Sequence, residues 1–307
     1  MSQKATEARH KKAEGLDMRA PEDILALLAS GQQDAARAVD AAIPALAQAG
    51  ELVADALRSG RKLVYAAAGS SGLMAMADAL ELPGTYGIPR EQIVLLLAGG
   101  LSSDSEMPGT PEDDVALAET DAAVIGKGDC VLAVSASGST PYVVKIAEIA
   151  RSRGAKVVAI ANNPGARLFD GADVSVLLET PPEVVAGSTR MGAGTAQKLA
   201  FNMLSTLAAI KLGHVHDGHM VNLRADNEKL RIRAAGMVAE IADIGFDEAR
   251  EFFARADGSV KVAVLLAAGS TDAAAARELL NCSGQVLRKA LTELNMTENT
   301  VKCAQGR

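Results

Sequence analysis

Apolar positions along this chain fall into two textures. Between 62 and 178 stand five short runs, 62–67, 92–98, 129–135, 156–162 and 173–178, most of them nearly unbroken in Val, Leu, Ile and Ala. They lack the in/out alternation of a half-exposed strand and fit strands covered on both faces of a parallel sheet. Turn residues followed by helical spacing separate several of them, which gives βαβ units with right-handed crossovers. The predicted architecture is α/β: a five-stranded parallel sheet flanked by helices, with ligands expected beyond the carboxyl ends of the strands. Before the sheet, 21–30 and 34–57 carry helical spacing, with Gly31 and Gly60 as breaks. After it, 194–212 reads as a long apolar helix ended by Gly213.

Beyond Asn222 the texture changes to short amphipathic helices over 227–241, 246–256, 259–267, 272–280 and 285–294, separated by Gly or by capping residues such as Ser270 and Thr271. Of these, 259–267 is Val-rich and competes with a strand reading, and 295–307 reads as frayed. The expected domains are 1–225, carrying the sheet, and 226–307, a small helical unit.

Composition narrows the function classes. With no Trp, three Tyr and five Phe in 307 residues, the core must be built of small aliphatics. A net charge of −7 and the lack of a basic block beyond Arg9–Lys12 leave no electrostatic footprint for a nucleic acid. No run reaches the ~18 apolar residues of a membrane helix and the N-terminus has no apolar signal segment, so a cytoplasmic protein is expected. Cys130, Cys282 and Cys303 form neither a disulfide framework nor a zinc signature.

Four constellations carry candidate chemistry. Ala68-Gly69-Ser70-Ser71-Gly72 follows a strand and opens a helix, where unpaired amides and a positive dipole end favour an anion and Ser70 and Ser71 add hydroxyls. Alone it is also what an ordinary strand-to-helix turn looks like. Ser135-Ala136-Ser137-Gly138-Ser139-Thr140-Pro141 also follows a strand; Thr140 before Pro141 suits an N-cap, but a cap needs one hydroxyl and this loop has four. Two such loops on one sheet can converge on one anion, and the pair is more specific than either. Glu81, near the end of the helix that starts at the first loop, and Glu112, in the loop after the second strand, are candidate catalytic carboxylates; each also reads as a solvated or helix-start acid. The stretch 187–198, with Ser188, Arg190 and Lys198 among glycines, reads as a functional loop entering a long helix. His214, His216 and His219 superficially resemble a zinc motif, but Asp217 and Gly218 stand in the wrong order, so a polar surface loop is expected and no metal.

Ser135, Ser137, Gly138 and Thr140 match the Ser-x-Ser-Gly-x-Thr loop of the SIS (sugar isomerase) fold. Within it the chain resembles N-acetylmuramic acid 6-phosphate etherases over nearly its whole length, through stretches such as Thr6-Glu7, Asp78-Ala79 with Glu81, Glu112-Asp113, Asn163-Pro164-Gly165, Glu183-Val184-Val185 and Asn202 to Thr206. The resemblance implies a cofactor-free lyase that removes D-lactate from C3 of the sugar and adds water, with Glu81 as the acid at the leaving oxygen and Glu112 as base or water activator. It implies a sugar-phosphate site built on Ser70, Ser71, Ser135, Ser137, Gly138, Ser139, Thr140, Ser188, Arg190 and Lys198, a ubiquitin-associated-like helical domain and a homodimer. The chain departs from the family where cations are usual: Leu73 and Ser139 stand in place of arginines, and Gly192 and His214 in place of lysines. Those losses keep two alternatives in view, an aldose–ketose sugar-phosphate isomerase and a non-catalytic sugar-phosphate sensor.

Overall fold

The computed structural model describes residues 5–100 and 109–305, with side chains through 296. The chain divides into two compact units, one comprising the chain up to Leu80 with Arg90–Leu207, the other Glu81–Pro89 with the chain from Ala208 onward.

The first unit opens with α1 (Pro21–Arg37) and α2 (Ile43–Arg58), then runs β1 (Leu63–Ala67), α3 (Gly69–Tyr86), β2 (Ile93–Leu97), α4 (Val115–Asp121), β3 (Cys130–Val134), α5 (Pro141–Ser152), β4 (Lys156–Ala161), β5 (Val174–Leu177) and α6 (Gly192–Lys211). The five strands form one parallel sheet, as the apolar runs predict; its order is β2-β1-β3-β4-β5. Its chain order reverses between β1 and β3, where a ligand crevice opens at the strand carboxyl ends. Both faces are covered. On one, Val64, Ala66, Val131 and Ala133 pack with Tyr142, Val143 and Ile146 of α5 and with Ala118 of α4. On the other, fully buried Tyr65 lies against Phe201 of α6, ring centroids 5.8 Å apart, and donates its hydroxyl to Asp78 Oδ2 at 2.7 Å. Asp78 also accepts from Asn202 Nδ2 (2.9 Å) and Ser205 Oγ (3.0 Å). Burial raises the Asp78 pKa, and these donors pull against that shift. Three donors on one buried acid fix α3 and α6 against β1.

Two local expectations are corrected. Gly31 does not end a helix: α1 continues through it to Arg37, because a hydrogen at this position leaves room for Val184, whose Cγ2 would lie 2.8 Å from an added Cβ. The break falls instead after Arg37, at a 3-10 turn (Asp40–Ala42), and Pro44 in the first turn of α2 restarts the helix. Residues 295–305 are not frayed; they belong to the last helix, while 306 and 307 lie outside the described residues.

In the second unit α7 (Glu228–Ala242), α8 (Phe246–Arg255), α9 (Val260–Ala267), α10 (Ala273–Cys282) and α11 (Leu287–Gln305) share one apolar core. The Val-rich α9 is a helix, but not an amphipathic one. Every residue from Val260 to Leu266 is buried, as for a helix enclosed by its neighbours. Even Lys261 is only 2% exposed; its Nζ donates to Gln285 O at 3.0 Å, and burial lowers its pKa to about 8. Among the described residues no helix is long and apolar enough to cross a membrane.

Candidate active site

The parallel register determines where the two hydroxyl loops emerge. Ala67, the last residue of β1, pairs with Val134, the last of β3, and with Leu97, the last of β2. Neighbouring strands that end level deliver their following loops side by side. A cleft of about 380 Å³ opens there, lined by Ala68 to Ser71 from the first loop, by Ser135 to Ser137 and Thr140 from the second, and by Glu7, Glu112, Gly187 and Thr189.

In the first loop Gly69 has φ +52, a left-handed conformation that costs an L side chain about 1–2 kcal/mol. The first hydrogen bond inside α3 runs from Gly72 N–H to Ala68 O (3.1 Å), so the amides of Gly69 to Ser71 precede the ladder and can serve a ligand. The second loop is a hydroxyl network. Ser135 Oγ lies 2.8 Å from Thr140 Oγ1 and 3.2 Å from Ser137 Oγ, and accepts from Gly138 N–H at 3.1 Å. Ser139 donates its N–H and its hydroxyl to Ser137 Oγ, both at 3.2 Å. Thr140 does occupy the N-cap position of α5, ahead of Pro141, but its side chain makes no capping bond. Its hydroxyl pairs with Ser135 Oγ instead.

Glu112 lies on a 3-10 turn (Thr110–Asp113) rather than in an irregular loop; Pro111 in its first turn favours that geometry. Its carboxylate rests against the first loop: a Cβ added at Gly69 would sit 2.8 Å from Glu112 Oε1. Glu112 is half-buried. Burial, and secondarily the adjacent Asp113, raises its pKa above the ordinary value.

The remaining sequence candidates stand apart from the cleft lining. Glu81 is exposed, twelve residues beyond Gly69 in the sequence of α3, and is not among the lining residues. Ser188 and exposed Arg190 flank Thr189, a lining residue. Lys198 is exposed on α6 and bonded to Asn202 Oδ1. Gly192 is buried, where a Cβ would come within 3.0 Å of both Ala35 Cβ and Glu183 Oε2. Glu183 itself, 5% exposed, accepts from the first amides of α6, Gly192 N–H at 2.9 Å and Ala193 N–H at 2.8 Å. The histidine stretch is less exposed than a polar surface loop. His216 and His219 exchange backbone hydrogen bonds across a tight turn, and burial holds His214 near a pKa of about 4. Among the described residues no group of three or more His, Cys, Asp or Glu is arranged to hold a metal ion.

Two lining residues, Glu7 and Thr189, are not among the sequence candidates. Glu7 stands in a short polar segment with no periodicity, and its only signal is the Thr6-Glu7 pair within the family resemblance.

The model of the SIS domain family matches residues 28–162. The N-acetylmuramic acid 6-phosphate etherase of Deinococcus radiodurans is 41% identical over 290 residues, covering 94% of this chain and 95% of its own. The etherase of Geobacillus thermodenitrificans is 38% identical, covering 94% of this chain and 98% of its own. That of Streptomyces avermitilis is 42% identical over 83% of this chain and 82% of its own.

Proposed function

Because the chain belongs to the N-acetylmuramic acid 6-phosphate etherase family, we propose that its cleft cleaves the lactyl ether of that sugar phosphate by elimination and hydration. The protein is a carbon–oxygen lyase. The observation that carries the reading is the convergence of both hydroxyl loops and Glu112 on one cleft at the sheet's reversal point.

Among the described residues the cleft lining contains no Lys or Arg, so the phosphate rests on the first-turn amides of α3 and on hydroxyls of Ser70, Ser71, Ser135, Ser137 and Thr140. Gly138 gives the second loop its close turn, and Ser139 orders Ser137. Glu112, ionised, takes the C2 proton of the open-chain sugar. The released electron pair forms the enolate and then expels the ether oxygen from C3, leaving a C2–C3 double bond. Glu81, protonated, gives its proton to that oxygen as lactate departs. Water then adds at C3 while C2 regains a proton, so substrate plus water becomes N-acetylglucosamine 6-phosphate plus D-lactate. Arg190, with Ser188 beside it at the cleft rim, meets the lactyl carboxylate, and Lys198 contributes positive potential from α6.

Glu81 comes from a second copy of the chain. It does not line the cleft that its own chain forms, and the helices bearing it and Lys198 expose apolar residues: Leu73 (42%) and Leu80 (65%) on α3, Leu199 (37%) and Met203 (40%) on α6. A homodimer covers that surface. Mixing inactive Glu81→Gln with inactive Glu112→Gln then restores activity, because a mixed dimer holds one site with both acids. Random exchange gives about a quarter of the parent rate. No recovery after verified subunit exchange refutes the shared site.

The reaction itself is tested by incubating the protein with N-acetylmuramic acid 6-phosphate and with unsubstituted sugar phosphates, following lactate and ketose by mass spectrometry. Lactate from the first substrate alone is expected. Ketose without lactate identifies an isomerase instead.

A further inference from the structure

The segment Ala5–Glu7 is a single 3-10 turn, yet it is tied down at a distance of 157 residues in sequence. Thr6 is 2% exposed. It donates its N–H to Asn163 Oδ1 (3.4 Å), accepts Asn163 Nδ2 on its hydroxyl (3.0 Å), and accepts Gly187 N–H on its carbonyl (3.2 Å). Asn163 Nδ2 also donates to Ala136 O (3.1 Å), inside the second hydroxyl loop. The turn is thus latched to two walls of the cleft, and the next residue, Glu7, lines it. Its carboxylate borders Gly187, where an added Cβ would lie 3.6 Å from Glu7 Oε2.

This placement sets a problem of charge. Among the described residues the cleft lining has two carboxylates, Glu7 and Glu112, and no Lys or Arg, although its ligand carries a phosphate. An acid beside the phosphate would repel it; an acid beyond it meets the neutral part of the sugar, whose hydroxyl and amide groups are donors. A carboxylate has only acceptors to offer. The hydroxyl loops take the phosphate from one side, and Glu7 enters from the Gly187 wall.

We infer that Glu7 is a specificity-determining residue whose carboxylate accepts hydrogen bonds from neutral O–H and N–H groups of the bound sugar, with the Thr6–Asn163 latch holding it there. The inference rests on the reading of the cleft as a sugar-phosphate site. It distinguishes sugar phosphates from phosphate alone.

The test measures binding of N-acetylglucosamine 6-phosphate and of inorganic phosphate by calorimetry to the parent, Glu7→Ala and Glu7→Gln, with lactate release followed in parallel. Glu7→Ala is expected to weaken the sugar phosphate at least tenfold and to raise the KM for the etherase substrate similarly. Phosphate affinity stays within twofold or improves, and kcat stays within about threefold. Glu7→Gln, retaining one acceptor, falls between. A Glu7→Ala protein that binds the sugar phosphate within twofold of the parent overturns the inference. So does an equal loss of both ligands, which marks a merely structural role. A parent that releases no lactate counts against the etherase reading, while parent-like lactate kinetics in Glu7→Ala count against Glu7 alone.

Discussion

Glu112→Gln is expected to lower kcat for lactate release about a thousandfold with little change in KM, within the 10²–10⁴ range of a positioned acid–base group. The amide keeps the shape of the side chain against Gly69 but cannot take a proton. The same group is expected to set the acid limb of the pH profile. As a base Glu112 works ionised, and burial, aided by Asp113, raises its pKa, so kcat/KM falls with decreasing pH through a value above the ordinary carboxylate near ~4.3. Asp113→Asn removes the lesser cause and moves that limb to lower pH. The stability linkage runs the other way. Between its unfolded and folded pKa values Glu112 holds more proton in the native state, so stability falls as pH rises through that window. At neutral pH the fold carries an unfavourable charge there, and Glu112→Gln leaves the melting temperature unchanged or higher. Stopped lactate release with an intact melting curve is the expected pair of results; kcat within tenfold of the parent removes Glu112 as the base.

Gly138→Ala is the change with the largest expected effect on the fold. Gly138 has φ +67, and an added Cβ would lie 2.2 Å from Ala166 Cβ and 3.0 Å from Ala161 Cβ, side-chain methyls with no rotamer by which to move away. A left-handed L residue costs about 1–2 kcal/mol and overpacking another 1–3, so a loss of roughly 3 kcal/mol follows. For a unit of this size that corresponds to a fall in melting temperature of roughly 10 °C. The overlap is with backbone-fixed methyls, so the loop must move, and Gly138 N–H leaves Ser135 Oγ as it does. Sugar-phosphate affinity is expected to fall with stability, read by thermal denaturation and calorimetric titration on one preparation. An unchanged melting curve shows that the loop yields without cost.

The sheet was legible because its strands are buried on both faces, and continuous apolar runs need no tertiary information to be seen. The two hydroxyl loops were legible for a related reason: four hydroxyls beside a helix start exceed what capping uses. What escaped the sequence depends on distant partners. The small size of Gly31 serves Val184, far along the chain, so the residue that looks like a break is a packing contact. Thr140 has every local mark of an N-cap, but Ser135 claims its hydroxyl. The 3-10 turn of Glu112 and the short α4 have too few residues to establish a period. Glu7 reaches the cleft through Asn163, and local patterning offers no trace of that link. Segments whose conformation is set by near neighbours can be read from the chain alone, whereas a side chain placed by a remote partner cannot.

One arrangement bears on how the phosphate finds its seat. Three helices of this unit, α3, α5 and α6, begin near loops rich in glycine and hydroxyls, and each start is a potential socket for a negative ion. At α6 the socket is already plugged from within, by the carboxylate of Glu183 on the amides of Gly192 and Ala193. The decoy is silenced by the chain itself, so an arriving anion has one fewer wrong berth.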